Sequence, residues 1–194
     1  MRYRIQIIFI LIITSHASSK QNETQFLPDN MPLHTKIIWG EKGIFRKLNI
    51  SPNTRQKELQ LRIKMLQLHQ KLAFGTLGMF FYQTYLGNHL LDGNLEYRDR
   101  HSKMSKIVWS SYMLSASLSY LAPPGMVYTK KVNSMKIHRL LSWVHFVGMA
   151  SLPILGNNIS NSADYNKAVQ LHQSVAYATL FTMSFSGVLT IFPY

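Results

Sequence analysis

The chain has 194 residues, enough for one domain, and it contains no cysteine. The absence of cysteine excludes disulfides, thiolate iron–sulfur clusters, Cys-based zinc sites and covalently attached c-type haem. The formal net charge is +13. Because the cations flank apolar segments, this charge predicts membrane lipids as partners and no nucleic acid.

Residues 1–17 have the pattern of a secretory signal peptide. Arg2 and Arg4 form a basic start, a short apolar run follows, and Ser15 and Ala17 are small residues suited to a cleavage site. The apolar run is too short for a typical membrane span. This pattern predicts that the segment after it is translocated.

Residues 18–53 are predicted to form an extramembrane linker that is basic and partly helical. The apolar run 37–39 lies among cations, a mixture typical of a turn or short helix in the lipid headgroups. Ser51 and Pro52 predict the start of a helix, which then continues from Arg55 to Leu91. Such a helix is about 55 Å long, so its first half projects beyond a membrane.

The remainder, residues 54–194, contains four apolar segments with few charges. Their length matches the ~30 Å hydrocarbon core of a bilayer. A soluble four-helix bundle would need a polar stripe on each helix, but the run 74–86 has no charged residue. We therefore expect an all-α membrane protein built as a four-helix transmembrane bundle. The predicted segments are Leu68–Leu91, Lys106–Met126, Ile137–Leu155 and Val169–Phe192.

A histidine stands at or shortly before the start of each apolar segment: His69, His101, His138 and His172. Consecutive membrane helices alternate in direction, so the first and third histidines share one face, side A, and the second and fourth share the other, side B. Histidine is the usual axial ligand of non-covalent haem. The placement predicts two haem b groups, with His69 and His138 binding one iron and His101 and His172 the other.

The surroundings of these histidines favour haem. Ala73 and Ala176 lie four residues after a histidine on the same helix face, where a flat macrocycle needs small neighbours. Small residues also serve plain helix–helix packing. Lys71 and Arg139 can neutralise haem propionates on side A, so both are candidate cofactor-binding residues.

Two further histidines compete as ligands. His145 lies two turns after His138 on the same face, inside the apolar segment, where ionisable residues are usually functional. It is an alternative to His138, or a hydrogen-bond partner for a ligand or quinone. His89 ends the first apolar segment and is an alternative to His101.

The four-helix core and the placement of His69, His101, His138 and His172 resemble the transmembrane dihaem cytochromes of the b-561 type. The resemblance covers roughly residues 66–192 and includes no local motif. It implies one haem near each membrane face, bound by histidines on alternate helices. No nucleophile–base constellation or phosphate-binding loop indicates a hydrolase or kinase, and no catalytic residue is assigned.

These observations leave three hypotheses. The first is an electron-transfer cytochrome, a possible transmembrane oxidoreductase, with an unidentified donor and acceptor such as a quinol or a redox protein. The second is a haem-bearing membrane anchor subunit of a partner oxidoreductase. The third is a non-haem integral membrane protein.

The expected location is a bacterial inner membrane with the N-terminal segment outside. The excess of cations on side A gives the opposite orientation by the positive-inside rule, so these two signals conflict.

Overall fold

The computed structural model describes residues 27–128 and 131–192. Within them the regular structure is helical, and no strand occurs. The predicted signal peptide lies outside the described residues. The α-helices are α1 (Leu33–Trp39), α2 (Ile44–Lys47), α3 (Arg55–Leu91), α4 (Arg98–Tyr120), α5 (Ser134–Asn158) and α6 (Tyr165–Ile191).

The prediction of one continuous helix from Arg55 to Leu91 is confirmed. Its predicted start at Ser51 and Pro52 is wrong by three residues. Thr54 caps α3 instead, because its backbone is extended and its hydroxyl accepts a hydrogen bond from the Lys57 amide at 3.3 Å.

The predicted second segment, Lys106–Met126, is displaced along the chain. Its helix, α4, begins at Arg98 and ends at Tyr120. The charged first turn is helical despite its polarity. At the other end, Pro123 and Pro124 terminate the helix because proline cannot donate to the helical ladder and restricts the residue before it.

The four long helices form two antiparallel hairpins, α3–α4 and α5–α6, each densely packed within itself. A hydrogen bond of 2.6 Å between the hydroxyls of Thr76 and Ser111 joins α3 to α4. Gly148 lets α5 approach α6, because a Cβ at this position would collide with Thr179. Small residues therefore set the close approach within each hairpin.

The two hairpins meet more sparsely, along α3 and α6 and along α4 and α5. Because α3 packs on α4 and α6, and α5 packs on the same two helices, α3 and α5 lie at opposite corners. The helices α4 and α6 occupy the other diagonal. One buried cluster draws on all four helices and includes Phe80, Tyr112, Met149 and Met183, each 11 residues after a predicted haem ligand.

The N-terminal helices fix the connection between the two hairpins. The Arg55 guanidinium donates to the carbonyls of Pro124 and Gly125 at 2.8 and 2.9 Å. The Arg62 guanidinium donates to Pro123 at 2.6 Å, and the indole N–H of Trp39 donates to Leu121 at 3.0 Å. This end of the bundle is therefore ordered by contacts from outside the four-helix core.

A buried carboxylate anchors the same region. Glu58 is 1% exposed and forms ion pairs with Arg46 at 2.6 Å and with Arg55 at 2.9 Å. A buried charge requires such partners, since an unpaired one is strongly destabilising. The ion pairs link α2 to the first turn of α3.

Two helices of the described part are long and apolar enough to cross a membrane: α5, with its short C-terminal extension to Asn161, and α6. These two spans are weak evidence for membrane association. Large apolar side chains on both helices face outward, among them Leu140, Val147 and Phe181 at 66%, 64% and 71% exposure. Outward apolar surface of this kind suits lipid contact.

Candidate functional site

On side A, His69 is fixed by the neighbouring helix of its own hairpin. Its Nδ1 lies 2.9 Å from the carbonyl oxygen of Ser115 and 3.1 Å from the Ser115 hydroxyl. The same hydroxyl donates back to the carbonyl of His69 at 3.1 Å. The Nδ1–H can thus donate to two oxygens of one serine, which orients the imidazole and leaves Nε2 available as a metal ligand.

His138 repeats this arrangement in the second hairpin. Its Nδ1 lies 2.7 Å from the Ser186 hydroxyl and 3.1 Å from the Ser186 carbonyl oxygen. His138 on α5 and His69 on α3 are close enough for their charges to interact. The structure therefore brings these two predicted residues to the same end of the bundle, from opposite corners.

On side B, the structure brings His101 and His172 together across the other diagonal. Their ring centres are 6.4 Å apart and their planes are inclined at 71°. Two imidazoles that bind one metal ion from opposite sides, with metal–nitrogen bonds of about 2 Å, have ring centres roughly 6 Å apart. The observed spacing suits a single metal ion between the rings.

The side B rings lie against glycines. A Cβ added to Gly87 would be 3.1 Å from Cε1 of His101, and one added to Gly156 would be 3.3 Å from Cε1 of His172. A cleft between α3 and α6 reaches His172 and is bordered by Gly87, Thr84 and Ala176. Any side chain at either glycine would force its histidine to move.

Two polar atoms on side B are buried without a hydrogen-bond partner: Oε1 of Gln83 and Nδ1 of His172. The Gln83 amide nitrogen donates to the carbonyl of His101 at 3.0 Å and lies 3.1 Å from Nδ1 of that ring. Leaving buried polar atoms unpaired costs free energy, so native structures usually have a reason for them. Spacing, glycines and orphaned atoms together fit a planar metal-bearing group on side B.

His145, the alternative to His138, has a different environment. It is 9% exposed, and its Nδ1 lies 2.6 Å from the hydroxyl of Tyr112 on α4. The arrangement of His138 matches that of His69, whereas that of His145 does not. His145 therefore lies deeper in the bundle as the hydrogen-bond partner of a buried tyrosine.

His89, the alternative to His101, lies away from His172. Its ring stacks on Tyr97 with centres 4.6 Å apart and contacts the edge of Tyr85 at 4.4 Å. Asn94 lies 3.4 Å from its Nδ1. These contacts tie the end of α3 to the following turn.

The candidate propionate partners differ in placement. Lys71 is exposed. Arg139 is also exposed, and its charge acts on both Arg62 and His34. Burial, followed by the nearby charge of Arg139, lowers the pKa of His34, whose ring stacks on Tyr120 at 4.5 Å. Sequence reasoning missed Arg62 and His34 as parts of this cationic end of the bundle.

A repeat that links the two hairpins was also missed. Gly87 follows His69 by 18 residues, and Gly156 follows His138 by the same interval. Likewise, each side B histidine is followed after 14 residues by a serine, Ser115 or Ser186. The signal was present in the sequence as His-x17-Gly followed by His-x13-Ser, with two extra residues in the second hairpin.

In the part of the chain that the structure describes, no group of three or more His, Asp or Glu side chains converges on a metal-sized space. The histidines instead meet in twos, the number that a porphyrin iron requires because the macrocycle supplies its other four ligands. No family model, curated protein or solved structure matches the chain.

The glycine contacts yield a prediction. Gly87→Leu or Gly156→Leu should displace a side B imidazole and remove about half of the bound haem, because the new side chain occupies the space of the ring. Haem per chain, measured by the pyridine haemochrome assay, tests this. Gly75→Leu and Gly78→Leu are matched controls, since a Cβ at either position meets nothing within 4 Å. Unchanged haem in both side B variants would contradict the assigned packing.

Proposed function

We propose that the chain is a membrane b-type cytochrome that carries electrons between the two faces of a bilayer. In this proposal α3–α6 form a four-helix transmembrane bundle with one bis-histidine haem b site near each face. His69 and His138 are the side A ligands, and His101 and His172 are the side B ligands. The observation that carries the proposal is the 6.4 Å spacing of His101 and His172 across the diagonal of the bundle.

The environment of the histidines supports ligation over a plain structural role. Metal-binding histidines typically donate their second ring N–H to a carbonyl or another acceptor. His69 and His138 both lie against a serine carbonyl through Nδ1. A histidine that merely ends a helix has no need of the same serine contact at the same interval in two hairpins.

Haem supplies a one-electron couple, and the protein supplies ligands, a dry interior and charge at the faces. The distance from His69 to the level of Gly87, which contacts His101, is 18 residues or about 27 Å along α3. The buried cluster around Phe80 and Tyr112 fills the space between. Its low polarity excludes water from the path between the two sites. On side A, Arg62 and Arg139 are suited to haem propionates.

The side A surface is also the more cationic face. Clustered positive charge raises the encounter rate with an anionic donor or an acidic protein, and salt weakens this effect. Membrane lipids are the second partner, contacted by the outward apolar faces of α5 and α6. The haem-bearing anchor of a partner oxidoreductase is the alternative function, and it has the same ligands without transmembrane electron transfer.

Histidine variants test the ligand assignment. His69→Ala or His138→Ala should remove the side A haem alone, and His101→Ala or His172→Ala the side B haem alone, because ligands at opposite ends of the bundle cannot share one iron. Haem per chain should fall from about two to about one. His89→Ala is the matched control and should retain both. Loss of haem in His145→Ala, with full haem in His138→Ala, would instead make His145 the ligand.

Electron transfer is testable in sealed vesicles. With dithionite outside and ferricyanide trapped inside, vesicles that contain the protein should reduce the ferricyanide, whereas protein-free vesicles should not. For an anionic donor applied to side A, the rate should fall as salt rises from about 10 to 300 mM, because screening weakens attraction to the cationic face. Haem-loaded protein that transfers no electrons would favour the anchor-subunit alternative, and a salt-independent rate would exclude side A as the docking face.

A further inference from the structure

The two histidine pairs differ in how their second ring nitrogens are hydrogen-bonded. On side A, each Nδ1 has two serine oxygens within 3.1 Å, from Ser115 for His69 and from Ser186 for His138. On side B, Nδ1 of His172 is buried without a hydrogen-bond partner. The group nearest His101 is the amide nitrogen of Gln83, which is a donor.

This difference changes the electron density of the imidazoles. A ring N–H that donates to a carbonyl makes the opposite nitrogen a more basic ligand. A more basic ligand stabilises the oxidised iron more than the reduced iron, and outer hydrogen bonds are one of the protein's means of tuning potential. Two such ligands act on side A, whereas His172 on side B has no acceptor for its Nδ1.

Charge near side A acts in the opposite direction, since cations favour the reduced state. Arg139 is exposed, however, so water and salt screen its charge. The Arg62 guanidinium is already engaged with the carbonyl of Pro123. Side B has exposed cations of its own, including Arg100 and Lys103. The hydrogen bonds act on the ligand itself and are therefore the larger difference between the two sites.

We propose that the serines Ser115 and Ser186 make side A the site of lower midpoint potential, so that electrons enter at side A and leave at side B. This inference rests on the proposed function and adds a direction to it. Ser115 and Ser186 are positioning residues, because they touch the ligand histidines through hydrogen bonds. In one turnover a one-electron reductant at side A is oxidised and a one-electron oxidant at side B is reduced.

A potentiometric titration of the full-length protein, followed in the haem absorbance, tests the order. The native protein should give two waves, and the wave absent from His69→Ala should be the lower one. In Ser115→Ala/Ser186→Ala, the side A wave should move upward while the side B wave stays in place. The ratio of reduced to oxidised haem at a fixed potential should rise about tenfold, a shift of about 59 mV for a one-electron couple.

Matched variants separate this effect from general disturbance. Ser117→Ala on α4 and Ser184→Ala on α6 remove hydroxyls that donate only within their own helices, and both waves should stay in place. Ser115→Thr/Ser186→Thr retains the hydroxyls and should restore the low potential. If the serine variants do not fold, the order of the native waves still decides.

Two haems whose side A wave lies at or above the side B wave would overturn this inference alone. A shift of the side B wave in the Ser115→Ala/Ser186→Ala variant would do the same. A protein without haem would overturn the proposed function as well, and the absorption spectrum distinguishes that case before any titration begins.

Discussion

The contact between each central histidine and the neighbouring helix of its own hairpin is the constraint on which the rest of the arrangement depends. His69 and His138 are fixed through Nδ1 by serines, and His101 and His172 lie against glycines. In every case the partner belongs to the helix adjacent in sequence. A hairpin therefore orients its two imidazoles through local packing, before it meets the other hairpin.

Each hairpin contributes one histidine to each face, so neither hairpin contains a complete pair. The complete pairs arise when α3 and α5 take one diagonal of the bundle and α4 and α6 take the other. Direct packing between the hairpins is sparse, apart from the buried cluster that includes Phe80 and Met183. In the proposed cytochrome, haem ligation would add two further connections between the hairpins, and the stability of the bundle would then depend on haem.

Much of the helical architecture could be predicted because apolar runs of membrane length are a strong signal. The continuous helix ending at Leu91 followed from uninterrupted helical pattern. The end of α4 did not, because the apolar character of the chain continues past Tyr120 while Pro123 and Pro124 stop the helix. The polar first turn at Arg98 was missed since hydropathy detects membrane-compatible surface and ignores charged helix.

The candidate site was predictable to the level of which histidines share a face. Alternating helix direction is sufficient to group His101 with His172, but it cannot distinguish His101 from His89 on the same face. That distinction depends on side-chain packing, in which His89 stacks on Tyr97. The roles of Ser115, Ser186 and Gln83 depend on interhelical register, which hydrophobic periodicity does not determine. The matching intervals in the two hairpins were the available signal for the serines.

The absorption spectrum and haem content of the purified, full-length protein test the central claim most directly. Protein from haem-replete cells should contain about two non-covalent haem b groups per chain, extractable with acid acetone, with sharp α and β bands in the reduced spectrum that are typical of six-coordinate low-spin iron. A folded but colourless protein would contradict the haem assignment. One haem per chain would contradict the two-site arrangement.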